Sequence, residues 1–145
     1  MQGVKSYLQV SSEIGILAVG VALLMISGEF DLSIGSLIGF SSMSMTLLTV
    51  EANMSIPLAS FCALLLTIFV GYFNGLTVVK SGLPSFIITL GSLFIVRGLT
   101  IAVSKIITGR TQLGGISESS GYNFMSSLFS SNLTISGVDL SLIHI

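Results

Sequence analysis

Residues 52–79 read ANMSIPLASFCALLLTIFVGYFNGLTVV and residues 32–50 read LSIGSLIGFSSMSMTLLTV, and neither stretch holds an Asp, Glu, Lys or Arg. About twenty apolar residues rising 1.5 Å each match a hydrocarbon core of about 30 Å. The 145-residue chain is 52% hydrophobic and only 8% charged, with a mean hydropathy of +1.02. A soluble domain of that size lacks the polar side chains to cover its own surface. In hydrocarbon every backbone group must be bonded internally, so helices are the default. The fold expected is an all-α, polytopic transmembrane helix bundle.

Working outward, four apolar segments are predicted, at about residues 10–27, 32–50, 56–79 and 84–107. The breaks between them have local causes. Gly28-Glu29-Phe30-Asp31 separates the first two, with Asp31 a good N-cap for a helix starting at Leu32. Glu51-Ala52-Asn53 ends the second. Pro57 and Pro84 suit the first turns of the third and fourth, where a missing N–H costs little. Lys80-Ser81-Gly82 closes the third. Residues 108–136, rich in Ser, Gly and Asn and carrying Arg110 and Glu118, read as an extramembrane loop. Residues 138–145 turn apolar again, as if entering a further span.

Composition also excludes. A net charge of −1 gives no basic footprint for nucleic acid. Cys62 is the lone cysteine, so no intrachain disulfide forms, and it reads as a small packing residue. Lys5 before an apolar stretch is reminiscent of a signal peptide, but Glu13, the missing cleavage site and the spans that follow make it mature sequence. No Gly-Lys-Ser/Thr phosphate loop, metal-ligand cluster or nucleophile–base set occurs. Neither cofactor nor catalysis by this chain is expected.

Two kinds of residue stand out. Gly35/Gly39 and Gly71/Gly75, with Ala18/Ala22, repeat at the four-residue spacing that lets helices approach closely. Arg97 lies near the middle of the fourth segment, where a charge costs about 2.5–3.5 kcal/mol on insertion scales. Two roles fit it: a group lining a polar pathway, or a structural Arg bonded to carbonyls or paired with Glu29 or Asp31, and the structural role is favoured. Asn74 suits an interhelical hydrogen bond, and Lys80 can snorkel to headgroups. The positive-inside rule puts Lys80 in the cytoplasm and the loop after Thr108 outside, while Lys105 and Arg110 pull the other way. His144, near the end, takes no role.

GEFDLSIGS at residues 28–36, ILAVGVALLMISG upstream and NGLTVVKSGLPSFIITLGSLFIVRGL downstream resemble, in order, three blocks of the permease subunits of ribose-type ABC importers. The likeness covers about residues 14–100. It implies a monosaccharide-translocating subunit that pairs with a second permease copy in the inner membrane. Such a subunit takes sugar from an extracytoplasmic binding protein and docks cytoplasmic ATPase subunits, whose ATP hydrolysis drives alternating access. Carried onto this chain, it nominates Asp31, Ser33, Asn74 and Arg97 as pathway or gating residues. Gly91 and Gly98 join Gly35, Gly39, Gly71 and Gly75 as packing residues. It also places the Ser-rich loop on the binding-protein side, in accord with a cytoplasmic Lys80. Family members are about twice as long, with an earlier helix and a later ATPase-contacting loop that this sequence lacks. The expectation is therefore a piece covering the N-terminal half. A branched-chain amino-acid permease is the near alternative, against which Asp31-Leu32-Ser33 argues. A small self-assembling membrane protein or channel is the distant one.

Overall fold

The computed structural model describes residues 2–111, 113–114, 116, 119–124, 132–135 and 138–141. Glu118, residues 125–131 and the tail with His144 lie outside the described residues. Four helices follow one another: α1 Gln2–Ile26, α2 Ile34–Val50, α3 Ile56–Ser81 and α4 Ser85–Thr108. Two short strands come after them, β1 Asn132–Ile135 and β2 Val138–Ser141.

The helix ends follow from their residues. Pro57 stands in the first turn of α3 behind an extended Ser55, and Gly82 closes that helix at φ 64°. Gly109 closes α4 the same way, at φ 71°. A left-handed residue at these two positions lets the chain leave the helix while still bonding its last carbonyls, and glycine does so without a Cβ clash. α1 reaches back to Gln2, past the apolar stretch, because polar residues end an apolar run without ending a helix.

α2 is the middle of the bundle and packs against both α3 and α4, which touch each other less. What these helices bury is small and polar. Among the described residues the buried apolar side chains are Ile56, Ala59, Ala63 and Val96, whereas Ser33, Ser36, Thr46, Thr49, Asn74, Ser85, Thr89 and Ser104 are all buried. Large apolar groups face outward, Phe69, Tyr72 and Phe94 among them. Only 17% and 11% of the most apolar windows of α3 and α4 are buried, although both helices are long and apolar enough to cross a membrane. A core helix of a soluble protein would be mostly buried. This inside-out distribution suits lipid, where large side chains cost nothing outside and small ones let backbones approach.

The buried hydroxyls are satisfied close to home. Buried Thr46 and Thr49, and half-buried Thr67 and Thr100, each donate to the carbonyl four residues earlier, at 2.6–2.9 Å. Among the described residues no buried side-chain polar atom lacks a partner.

Two expectations are corrected. Asp31 is not the N-cap of a helix starting at Leu32: α2 starts at Ile34, with Ser33 at the cap position. Residues 138–141 do not begin a span; they pair antiparallel with β1, Asn132 opposite Ser141 and Ile135 opposite Val138. The alternation in NLTI-SG-VDLS, with Ser-Gly between the runs, is a hairpin signal that average apolarity hides.

Candidate functional site

Between α1 and α2 the backbone leaves helical geometry for residues 27–33, beginning at Gly28 with φ 84°. The neighbours of this break show how deep it lies. Asn74 is seven residues from the end of α3 and Thr89 four residues into α4, so the break sits about 6–10 Å in from that end of the bundle. Irregular backbone at such depth is tolerated only where protein satisfies it, and here three helices do so. Gly28 N–H donates to Met25 O and Glu29 N–H to Leu24 O, at 3.0 and 3.2 Å. Phe30 N–H donates to Ser85 Oγ at 3.0 Å and Leu32 N–H to Thr89 Oγ1 at 3.2 Å. Thr89 passes its own proton to Ser85 O at 2.9 Å.

Asp31 closes the break from within. Its Oδ1 accepts both the backbone N–H of Ser33 at 2.7 Å and the Ser33 hydroxyl at 2.6 Å. This is the two-residue reach that makes Asp a turn former. Asn74 Nδ2 of α3 donates to Ser33 Oγ at 3.2 Å. The donors run Asn74 to Ser33 to Asp31 and end on a carboxylate, an arrangement in which each bond polarises the next. Ser33 O then accepts from Ser36 N–H and Ser36 Oγ, at 2.9 and 2.7 Å, which ties the turn into α2. The carboxylate also precedes the N-terminus of α2, where negative charge is favoured. A recess of about 240 Å³ opens beside this knot, lined by Glu29, Asp31, Asn74, Thr89 and the Gly71/Gly75 pair.

Arg97 is elsewhere. It lies eight residues beyond Thr89 on α4, about 12 Å along the axis, and lines a separate groove of about 450 Å³ between α2 and α4. Gly35, Ser36, Gly39 and Met43 form the α2 wall, and Leu93, Thr100 and Ile101 flank Arg97 on the other. Arg97 has no ion pair or hydrogen bond among the described residues, and Asp31 is bonded to Ser33 just before α2. A Cβ placed on Gly35, Gly39, Gly71, Gly75, Gly91 or Gly98 meets nothing within 4 Å, so these glycines do not bring the described helices together. Gly35 and Gly39 line the α2–α4 groove, and Gly71 and Gly75 line the recess beside the knot.

Sequence reading missed Ser85, Thr89 and Ser36. A hydroxyl in an apolar helix carries no signal beyond its presence, and their partners are set by chain segments far away in sequence. Among the described residues no group of three or more His, Cys, Asp or Glu is placed to hold a metal.

Residues 3–144 match the family model described as branched-chain amino acid transport system / permease component. The chain belongs to that permease family. Relatives of this permease component include the xylose transport system permease protein XylH of Escherichia coli K12, 34% identical over 104 residues, 72% of this chain and 26% of that protein. The autoinducer 2 import system permease protein LsrD of Klebsiella pneumoniae is 33% identical over 132 residues, 90% of this chain and 37% of its own. The inner membrane ABC transporter permease protein YjfF of Escherichia coli K12 is 36% identical over 92 residues, 63% of this chain and 28% of its own. The chain thus spans between about a quarter and two fifths of the length of these relatives. No solved structure matches it. The family is a transport component and not a catalytic one.

Proposed function

We propose that this permease component translocates a monosaccharide across the inner membrane as part of an ABC importer. It works there as a multi-pass subunit beside a second permease copy. A cytoplasmic ATPase subunit supplies ATP hydrolysis, and an extracytoplasmic sugar-binding protein delivers the cargo. The observation that carries the reading is the likeness to XylH, which is named for xylose, in a chain whose helices bury hydroxyls and turn large apolar groups outward. Asp31, Ser33 and Asn74 serve as the gating knot, since one bonded chain joins the α1–α2 break to α3. Arg97 belongs to the pathway, as a cation with no protein partner among the described residues.

The family description names branched-chain amino acids, so the test includes one. Full-length transporter, with its ATPase and binding protein, is reconstituted in liposomes and given labelled D-xylose, D-ribose or L-leucine. ATP-dependent accumulation of a pentose without leucine is the expected result. Leucine accumulation, or uptake of neither sugar, overturns the monosaccharide reading.

A further inference from the structure

The α2–α4 groove has a donor and acceptor pattern that selects its ligand. Arg97 supplies donors only, since a guanidinium has no acceptor. The two hydroxyls that line the groove with it have already given away their protons: Ser36 Oγ donates to Ser33 O at 2.7 Å and Thr100 Oγ1 to Val96 O at 2.6 Å. Each hydroxyl oxygen keeps lone pairs, so Ser36 and Thr100 meet a ligand as acceptors. An anion, which only accepts, would find Arg97 favourable and both oxygens repulsive. A neutral vicinal diol accepts from the guanidinium and donates to the oxygens, using every group. Size agrees, since about 450 Å³ lies within the range of about 300–1,000 Å³ typical of small-molecule sites. Gly35 and Gly39 provide the room, with nothing within 4 Å of a Cβ at either.

From this geometry we infer that the groove between α2 and α4 is a subsite for a neutral polyol in transit, held by Arg97, Ser36 and Thr100 over a floor of Gly35 and Gly39. The inference rests on the sugar-import reading and deepens it. It also divides the labour: the Asp31–Ser33–Asn74 knot shapes the start of α2, and the adjoining groove contacts cargo. Ser36 belongs to both, which connects occupancy of the groove to the break.

The test uses the full-length transporter with its ATPase and binding protein in liposomes, and D-xylose as probe. Gly39→Cys in a Cys62→Ala background is treated with a water-soluble methanethiosulfonate reagent, with and without D-xylose under turnover. Labelling that D-xylose slows is expected. In parallel, Gly39→Leu, which fills the groove, and Arg97→Gln, which removes charge-assisted donors, each lower D-xylose uptake about tenfold or more at unchanged membrane abundance. Arg97→Lys recovers part of the uptake, because a cationic donor remains. Gly39→Cys labelling indifferent to D-xylose overturns the subsite. So does a Gly39→Cys thiol that never reacts, which would mean that another helix of the transporter fills the groove. Gly39→Leu transport at the wild-type rate overturns it too. In each of these cases the unsubstituted transporter still takes up D-xylose. Failure of the unsubstituted transporter to take up any sugar is the different result that removes the import reading itself.

Discussion

Asp31 holds its turn with one oxygen that accepts two donors, and this makes its substitutions separable. Asp31→Asn keeps an oxygen in the same place and loses the charge that favours the start of α2. Asp31→Ala loses the acceptor altogether and leaves both the Ser33 N–H and hydroxyl without it, in a residue that is fully buried. Each unsatisfied buried donor costs about 1–3 kcal/mol. Detergent-solubilised full-length permease carrying Asp31→Ala is expected to lose more thermal stability than Asp31→Asn, and equal losses would show that charge, not the turn, is what matters. Asn74→Leu addresses the interhelical bond alone. Such bonds in membrane bundles are worth about 0.6 kcal/mol on average and up to about 1.7. A small loss of stability with assembly intact is therefore expected, and a double-mutant cycle with Ser33→Ala should show coupling of that size. Zero coupling would mean that Asn74 and Ser33 act independently.

At the level of elements, the break between α1 and α2 depends on α4 as much as on its own residues. Thr89 takes the Leu32 N–H and returns its proton to Ser85 O, and Ser85 takes the Phe30 N–H. Thr89→Val keeps the shape of the side chain and removes the acceptor, which orphans a backbone donor at a cost of about 1–3 kcal/mol. Reduced membrane abundance or thermal stability of full-length Thr89→Val, restored by Thr89→Ser, is the expected outcome; Thr89→Ser as damaged as Thr89→Val would point to packing instead. These elements also show what the sequence made legible. Pro57, Gly82 and Pro84 act through their own backbone chemistry, so the ends of α3 and the start of α4 could be read from residues alone. The hydroxyl straps could not, because Ser85 and Thr89 lie 55 and 57 residues from their partners. No local pattern reports which of many Ser and Thr residues will face a break. Arg97 was legible as costly, but that it has no ion pair among the described residues was not, since pairing depends on tertiary placement. The β1–β2 hairpin was readable in principle, from alternation rather than average apolarity.

For the whole molecule, orientation is the property that charge alone leaves balanced and geometry sharpens. Successive antiparallel helices put the end of α3 with Lys80, the start of α4 and the α1–α2 break at one end of the bundle. The start of α3 and the chain beyond α4 meet at the other end. There Ser120 O accepts the Ile56 N–H at 3.0 Å, and a Cβ on Gly121 would stand 2.9 Å from Pro57 Cδ. The segment around residues 119–122 is thus seated on the N-terminus of α3 and moves with that face. Lys80 inside puts this seated segment outside; Lys105 and Arg110 are the charges that oppose this. Single cysteines at Lys80 and Arg110 in a Cys62→Ala full-length permease distinguish the two orientations, using a membrane-impermeant maleimide on intact spheroplasts. Labelling of Arg110→Cys in intact spheroplasts, with Lys80→Cys reacting only after lysis, is expected, and the opposite order would invert the molecule. Gly121→Ala extends the same reasoning, because it strains a φ of +89° and presses on Pro57. If the seated segment is part of the docking face, Gly121→Ala lowers transport driven by the binding protein while basal ATPase activity of the assembled transporter stays unchanged. If both fall together, the contact at Pro57 serves assembly of the bundle and not docking.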